Sequence, residues 1–148
     1  MRTRYVVSAC VGAPPETVWR VLAELERMPE WTASMTSVRI LAGSGLAPGT
    51  TVEVRQPRMP TMTWTVEEVA VGEYFRWSAR SAGVTTYAEH WLEPAADGGT
   101  DVRLGVEHRG PLAGVVGALT MRRTARYVDQ ELAGLKRASE AVAARDDG

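Results

Sequence analysis

Hydrophobic and polar positions alternate with a period of two through most of the chain and shift to a helical period near the start and at the end. Residues 2–11 (RTRYVVSACV) are rich in β-formers and run into Gly12-Ala13-Pro14-Pro15. Proline is tolerated in a first helical turn, and Glu16 suits a helix N-terminus, so Pro15 to about Ala23 reads as a short helix with Val18, Trp19 and Leu22 on one face. A second short helical piece stops near Met28-Pro29, and Trp31 is expected to open a strand containing Val38 and Ile40. Gly43-Ser44-Gly45 and Pro48-Gly49 mark a turn. Five more strands are expected at roughly 50–56, 61–69, 73–80, 84–93 and 100–109. Their breaks are Pro57 to Pro60, Gly72, Gly83 and Ala95 to Gly99, the spacing of an antiparallel meander. From Pro111 to about Ala144 the period is helical. Met121, Ala125, Val128, Leu132, Leu135 and Val142 form one apolar stripe, with Arg122, Arg123 and Arg126 off it. The tail from Arg145 to Gly148 is expected to fray.

The pattern predicts an α+β fold: about seven strands in a strongly curved antiparallel sheet, two short helices after the first strand, and a long C-terminal helix. That helix is about 50 Å long at about 1.5 Å per residue. The apolar face of the sheet must be covered, and one rod rarely fills the concavity of a twisted sheet. An internal hollow is therefore expected.

Composition narrows the picture. With 148 residues the chain is expected to be one domain over 1–148. Hydrophobic residues at 45% and charged residues at 24% are ordinary globular values. No apolar run approaches the roughly 20 residues of a membrane span. The first residues are too short in their apolar part for a signal peptide, so a cytoplasmic location is expected. A net charge of −1 gives no general reason to expect nucleic acid as a partner. One cysteine and two histidines exclude a closed zinc site of the usual type, and Cys10, in an apolar stretch, reads as a small core residue. The nucleophile elbow, P-loop, HExxH and dinucleotide glycine motifs are all missing. No buried carboxylate pair emerges, since Glu67 and Glu68 fall beside a turn.

Ala13-Pro14-Pro15-Glu16-Thr17-Val18-Trp19 followed by Pro29-Glu30-Trp31-Thr32 resembles the N-terminal signature of the START-like, or helix-grip, superfamily. Arg55-Gln56-Pro57-Arg58, Trp64-Thr65-Val66 and Phe75-Arg76-Trp77 are similar to its bacterial polyketide cyclase/dehydrase-like (SRPBCC) branch. So are His90-Trp91-Leu92-Glu93-Pro94, Gly98 to Val102, Gly110-Pro111-Leu112, Arg126-Tyr127-Val128 and Glu131 to Lys136. The likeness covers nearly the whole chain and lies in the order and spacing of the pieces. It implies the helix-grip fold and a hydrophobic ligand tunnel between sheet and helix; it implies function only weakly.

Strand parity assigns the pocket face. Val102, Leu104, Val106 and His108 share the apolar side of their strand. A register setting His90 opposite Leu104 and Leu92 opposite Val102 turns Thr86, Ala88, His90 and Leu92 inward, and a one-residue slip would turn Tyr87, Glu89 and Trp91 inward instead. A tight loop around Ala70-Val71 brings Trp64 near Trp77. The expected ligand-binding set is Trp64, Trp77, Thr86, Ala88, His90, Leu104, His108, Met121 and Val128. His90 and Tyr87 are the candidate catalytic residues. Each has a plain alternative: the two Trp as core filler, His90 as a satisfied core histidine, His108 at the surface, and Tyr87 or Tyr127 with its hydroxyl in water. Arg122, Arg123 and Arg126 can attract a carboxylate or an acyl-carrier arm, or form a solvated face. Gly114 and Gly117 leave room for ligand access or for close packing.

Three functions fit: binding of an apolar or aromatic molecule of polyketide or lipid type; a polyketide aromatase/cyclase needing neither metal nor cofactor; or an interaction module, such as a chaperone co-factor, with a vestigial pocket. An acyl-carrier protein or a second copy of the chain is a possible partner.

Overall fold

The computed structural model describes residues 3–147. Strand β1 (Arg4–Val11) leads into helix α1 (Pro15–Ala23) and a 3-10 turn over Leu25–Glu30. Strands β2 (Ser37–Ala42), β3 (Thr51–Arg55), β4 (Met62–Ala70), β5 (Tyr74–Ser81), β6 (Val84–Pro94) and β7 (Thr100–Arg109) follow, and helix α2 (Ala113–Asp146) closes the chain. The strands make one antiparallel sheet in the order β1-β7-β6-β5-β4-β3-β2. This is the expected α+β helix-grip architecture.

Local chemistry explains the elements. Pro15 fills the first position of α1, where a missing N–H leaves no hydrogen bond unmade, and the helix buries Thr17, Val18 and Leu22. Pro29 holds the following turn in 3-10 form, and its last bonds run from the Trp31 and Thr32 amides to the Met28 carbonyl. Trp31 therefore ends a helical turn instead of opening a strand, and β2 begins six residues later at Ser37. Between β5 and β6 the loop is only Ala82-Gly83, with Gly83 at a φ of 77°. Its carbonyl accepts the Leu112 amide at 3.0 Å, tying the hairpin tip to the start of α2.

The register of β6 on β7 is the expected one, with His90 opposite Leu104 and Leu92 opposite Val102. Between β4 and β5 a bulge at Glu67 shifts the pairing between Val66–Trp77 and Glu68–Arg76. A bulge bends and twists the strand that carries it, which adds to the curvature. Trp64 lies diagonal to Trp77, not opposite it, and their rings are still 5.4 Å apart.

Cys10 is a correction. Burial in β1 alternates strictly, and Cys10 falls on the outward set with Arg4, Val6 and Ser8. Its thiol donates to Asp101 at 3.3 Å, and that carboxylate holds it above the ordinary thiol range. The last helical turn also differs from expectation: α2 runs through Arg145 and Asp146, where an ion pair of 3.0 Å joins Asp146 to Arg20 of α1. Gly148 lies outside the described residues.

Helix α2 packs most heavily on β1, β7 and α1 and only lightly on β6. Its C-terminal half sits tightly. A Cβ on Gly134 would stand 1.8 Å from the Trp31 carbonyl oxygen, so only glycine allows this approach. Leu132 and Leu135 are buried beside it. The helix thus seals one side of the concave face and leaves the space over β3 to β6 to be filled by side chains alone.

Candidate functional site

That space is not filled. A cavity of about 100 Å³ lies between α2 and the inner faces of β3 to β7. Of the expected ligand-binding residues, Trp64, Trp77, Thr86, Ala88, His90, Leu104, His108 and Val128 line it. Met121 does not. It is on the same helix face as Val128 but seven residues, or about 10 Å, further toward the N-terminus. There it borders a shallow depression with Tyr5, Gly117 and Ala125. Tyr87 is on the convex face, where the guanidinium groups of Arg76 and Arg109 stack over its ring at 5.2 and 4.6 Å. As a cavity acid or base it is ruled out by parity.

His90 is 2% exposed and held on three sides. Its ring stacks on Phe75 at 3.9 Å and meets Trp77 edge-on at 6.1 Å. Nδ1 lies 3.3 Å from the Phe75 carbonyl oxygen, which can only accept, so Nδ1 carries a hydrogen. Nε2 then points at Glu131 Oε2, 3.5 Å away on α2. His90 and Glu131 thus form a buried contact between β6 and α2 on the cavity wall.

His108 occupies the other end of the same sheet face, opposite Thr86. Its Nδ1 is 2.9 Å from the Thr86 hydroxyl, and its buried Nε2 has no hydrogen-bond partner among the described residues. Burial without a counter-charge pushes its pKa below the usual histidine value.

Glu131 escaped the sequence reading. The signal was present: it sits three residues after Val128 and four before Leu135, in phase with the buried stripe. Thr124, Tyr127, Val128 and Glu131 make the helix side of the cavity. The Tyr127 hydroxyl is not in water but donates to the Pro57 carbonyl, while Arg123 Nη1 donates to the Arg58 carbonyl at 2.8 Å. Two bonds thus strap the β3–β4 loop to α2. Met59 and Met62 from this segment, with Met35, form the flexible part of the wall. Arg122, Arg123 and Arg126 lie outside the cavity, around a separate shallow depression with Arg58 and Leu119.

A model of the family described as polyketide cyclase / dehydrase and lipid transport matches residues 2–140, and the chain belongs to that family. No curated protein matches it in sequence. Among solved structures it is similar to TTHA0849 from Thermus thermophilus, with a TM-score of 0.75 and 20% identity over 94% of this chain and 98% of that one. It is similar also to CV1439 from Chromobacterium violaceum, with a TM-score of 0.70 and 17% identity over 95% and 99% of the two chains. Ara h 8.0201 gives a TM-score of 0.65 and 17% identity over 96% and 97%. At these identities the likeness is one of fold. Among the described residues no helix is long and apolar enough to cross a membrane.

Proposed function

We propose that the protein binds an apolar small molecule, aromatic or of polyketide or lipid type, in the cavity beside α2. One observation carries the reading: an otherwise closely packed interior leaves about 100 Å³ open against two neighbouring indoles, Trp64 and Trp77. Protein cores are close-packed and keep few voids larger than a water molecule. Its size is near that of engineered cavities of about 150 Å³ that take up benzene. It is smaller than the roughly 300–1,000 Å³ of sites for larger ligands. A molecule of more than one ring must displace part of the wall. Met35, Met59 and Met62 are the side chains suited to yield, being unbranched and able to repack. Membership of a family described as acting in lipid transport and polyketide cyclisation supports the same reading.

The test is a melting-temperature and native mass spectrometry screen against naphthalene, aromatic polyketides and fatty acids. The expected result is a stabilising complex that Trp64→Ala weakens. If no compound binds, or if Trp64→Ala leaves every hit unchanged, the assignment is wrong.

A second reading, cofactor-free cyclisation, is favoured by the buried His90 and Glu131 side chains, which face each other at 3.5 Å on the cavity wall. Such a pair can protonate a carbonyl and remove an adjacent C–H proton. It predicts that the protein speeds deuterium exchange at the central carbon of an apolar β-diketone and that Glu131→Gln abolishes this. Exchange at the buffer rate would leave binding as the whole function.

A further inference from the structure

The cavity wall keeps buried hydrogen-bonding capacity at two separated places. One is His108, 7% exposed, whose Nε2 has no partner among the described residues. The other is the pair of His90 and Glu131, 2% and 9% exposed. Several other polar groups on the wall already have protein partners. The Gln56 amide donates to the Ser34 carbonyl at 3.1 Å, and Tyr127 donates to the Pro57 carbonyl. Thr86 pairs directly across the ladder with His108 and is four residues from His90, so the two places lie about 14 Å apart along the sheet at about 3.4 Å per residue. Ala88 and Leu104 separate them with apolar surface.

Neither place offers an anion an unpaired cation. His90 already faces the Glu131 carboxyl group at 3.5 Å. Burial favours the neutral form of His108. Among the described residues no lysine or arginine lines the cavity. A carboxylate brought there would lose its water and meet no cation, which is costly. A hydroxyl suits His108 in either tautomer, because it can accept from Nε2–H or donate to the Nε2 lone pair.

We propose that the ligand is an uncharged, elongated apolar molecule with an oxygen function at each end. A hydroxyl meets His108, and a hydroxyl or carbonyl meets the His90–Glu131 pair. The proposal rests on the cavity being an apolar-ligand site and names the class of molecule it selects. It excludes free fatty acids and other carboxylates as the preferred ligand.

Four matched probes test it by calorimetric titration at neutral pH: biphenyl, its para-phenol, the symmetric diphenol with a hydroxyl at each far end, and the biphenyl carboxylate. The expected order is diphenol, then phenol, then biphenyl, each hydroxyl adding about five- to tenfold in affinity. The carboxylate is expected at least about tenfold below the phenol. In His108→Leu the gain from the second hydroxyl disappears, read as the ratio of diphenol to phenol affinity within that variant; His108→Gln retains part of the gain. Melting curves establish that both variants fold, and the comparison between ligands within one variant is insensitive to a general loss of stability. Equal binding of biphenyl and diphenol, or tightest binding of the carboxylate, overturns the proposal while leaving an apolar-ligand site in place. Failure of all four probes to bind removes that underlying reading as well.

Discussion

The two halves of helix α2 pack against the rest of the fold in opposite ways. The C-terminal half is pressed so close that Gly134 has no room for a Cβ beside the Trp31 carbonyl. The N-terminal half leaves Val115 and Leu119 exposed, and in the middle Val128 and Glu131 border open space. One helix thus anchors the fold at one end and bounds a chamber further along. The cavity arises where closure stops, since a straight rod cannot follow a sheet that curves away from it.

The contrast can be broken first at its tight end. Gly134→Ala is expected to destabilise by about 3 kcal/mol or more, because the contact is with backbone and cannot be relieved by a rotamer change. Denaturant unfolding measures it, and a loss under about 1 kcal/mol would show that the close approach is not needed. A smaller effect is expected at His108. Burial lowers its pKa, so the unfolded chain takes up the proton first as the pH falls. Its contribution is fully present above about pH 6.5 and is lost as the pH drops from there toward the folded-state value, by at most about 1.4 kcal/mol per pH unit. His108→Gln should show a shallower decline between about pH 6.5 and 5 in thermal unfolding. An identical slope would place the titration elsewhere. The smallest change in stability is expected at the open end. Ala88→Leu adds three carbons to the cavity and should shift unfolding by less than about 1 kcal/mol while abolishing probe binding. Retained binding in that variant would mean that ligands sit elsewhere.

Much of this architecture was legible in the sequence. Period-two runs fixed the strands, and turn residues fixed the β6–β7 register that brings His90 and His108 to the inner face. The failures share a physical origin. Cys10 was misplaced by its apolar neighbourhood, although it shares strand parity with the polar Arg4 and Ser8. The Met121 assignment had the right helix face but no information on how far the helix extends past the cavity. Pro29 signalled a break without saying that the turn would continue through Trp31. Glu131 was hidden by its type. A carboxylate in an apolar stripe looks like a lapse in the pattern until its partner on another element, His90, is seen.

The sheet order also governs when the chamber can exist. Strand β1 has a single neighbour, β7, and Arg4 pairs with Glu107, 103 residues further along the chain. Such distant pairing forms late, because a long stretch of chain must be closed before the contact is gained. The roof, α2, follows even that strand in sequence. No chamber therefore exists until α2 has been made and has docked on the completed sheet. Any cargo is taken up by the finished molecule, and its binding strengthens the native state as a whole instead of guiding its assembly.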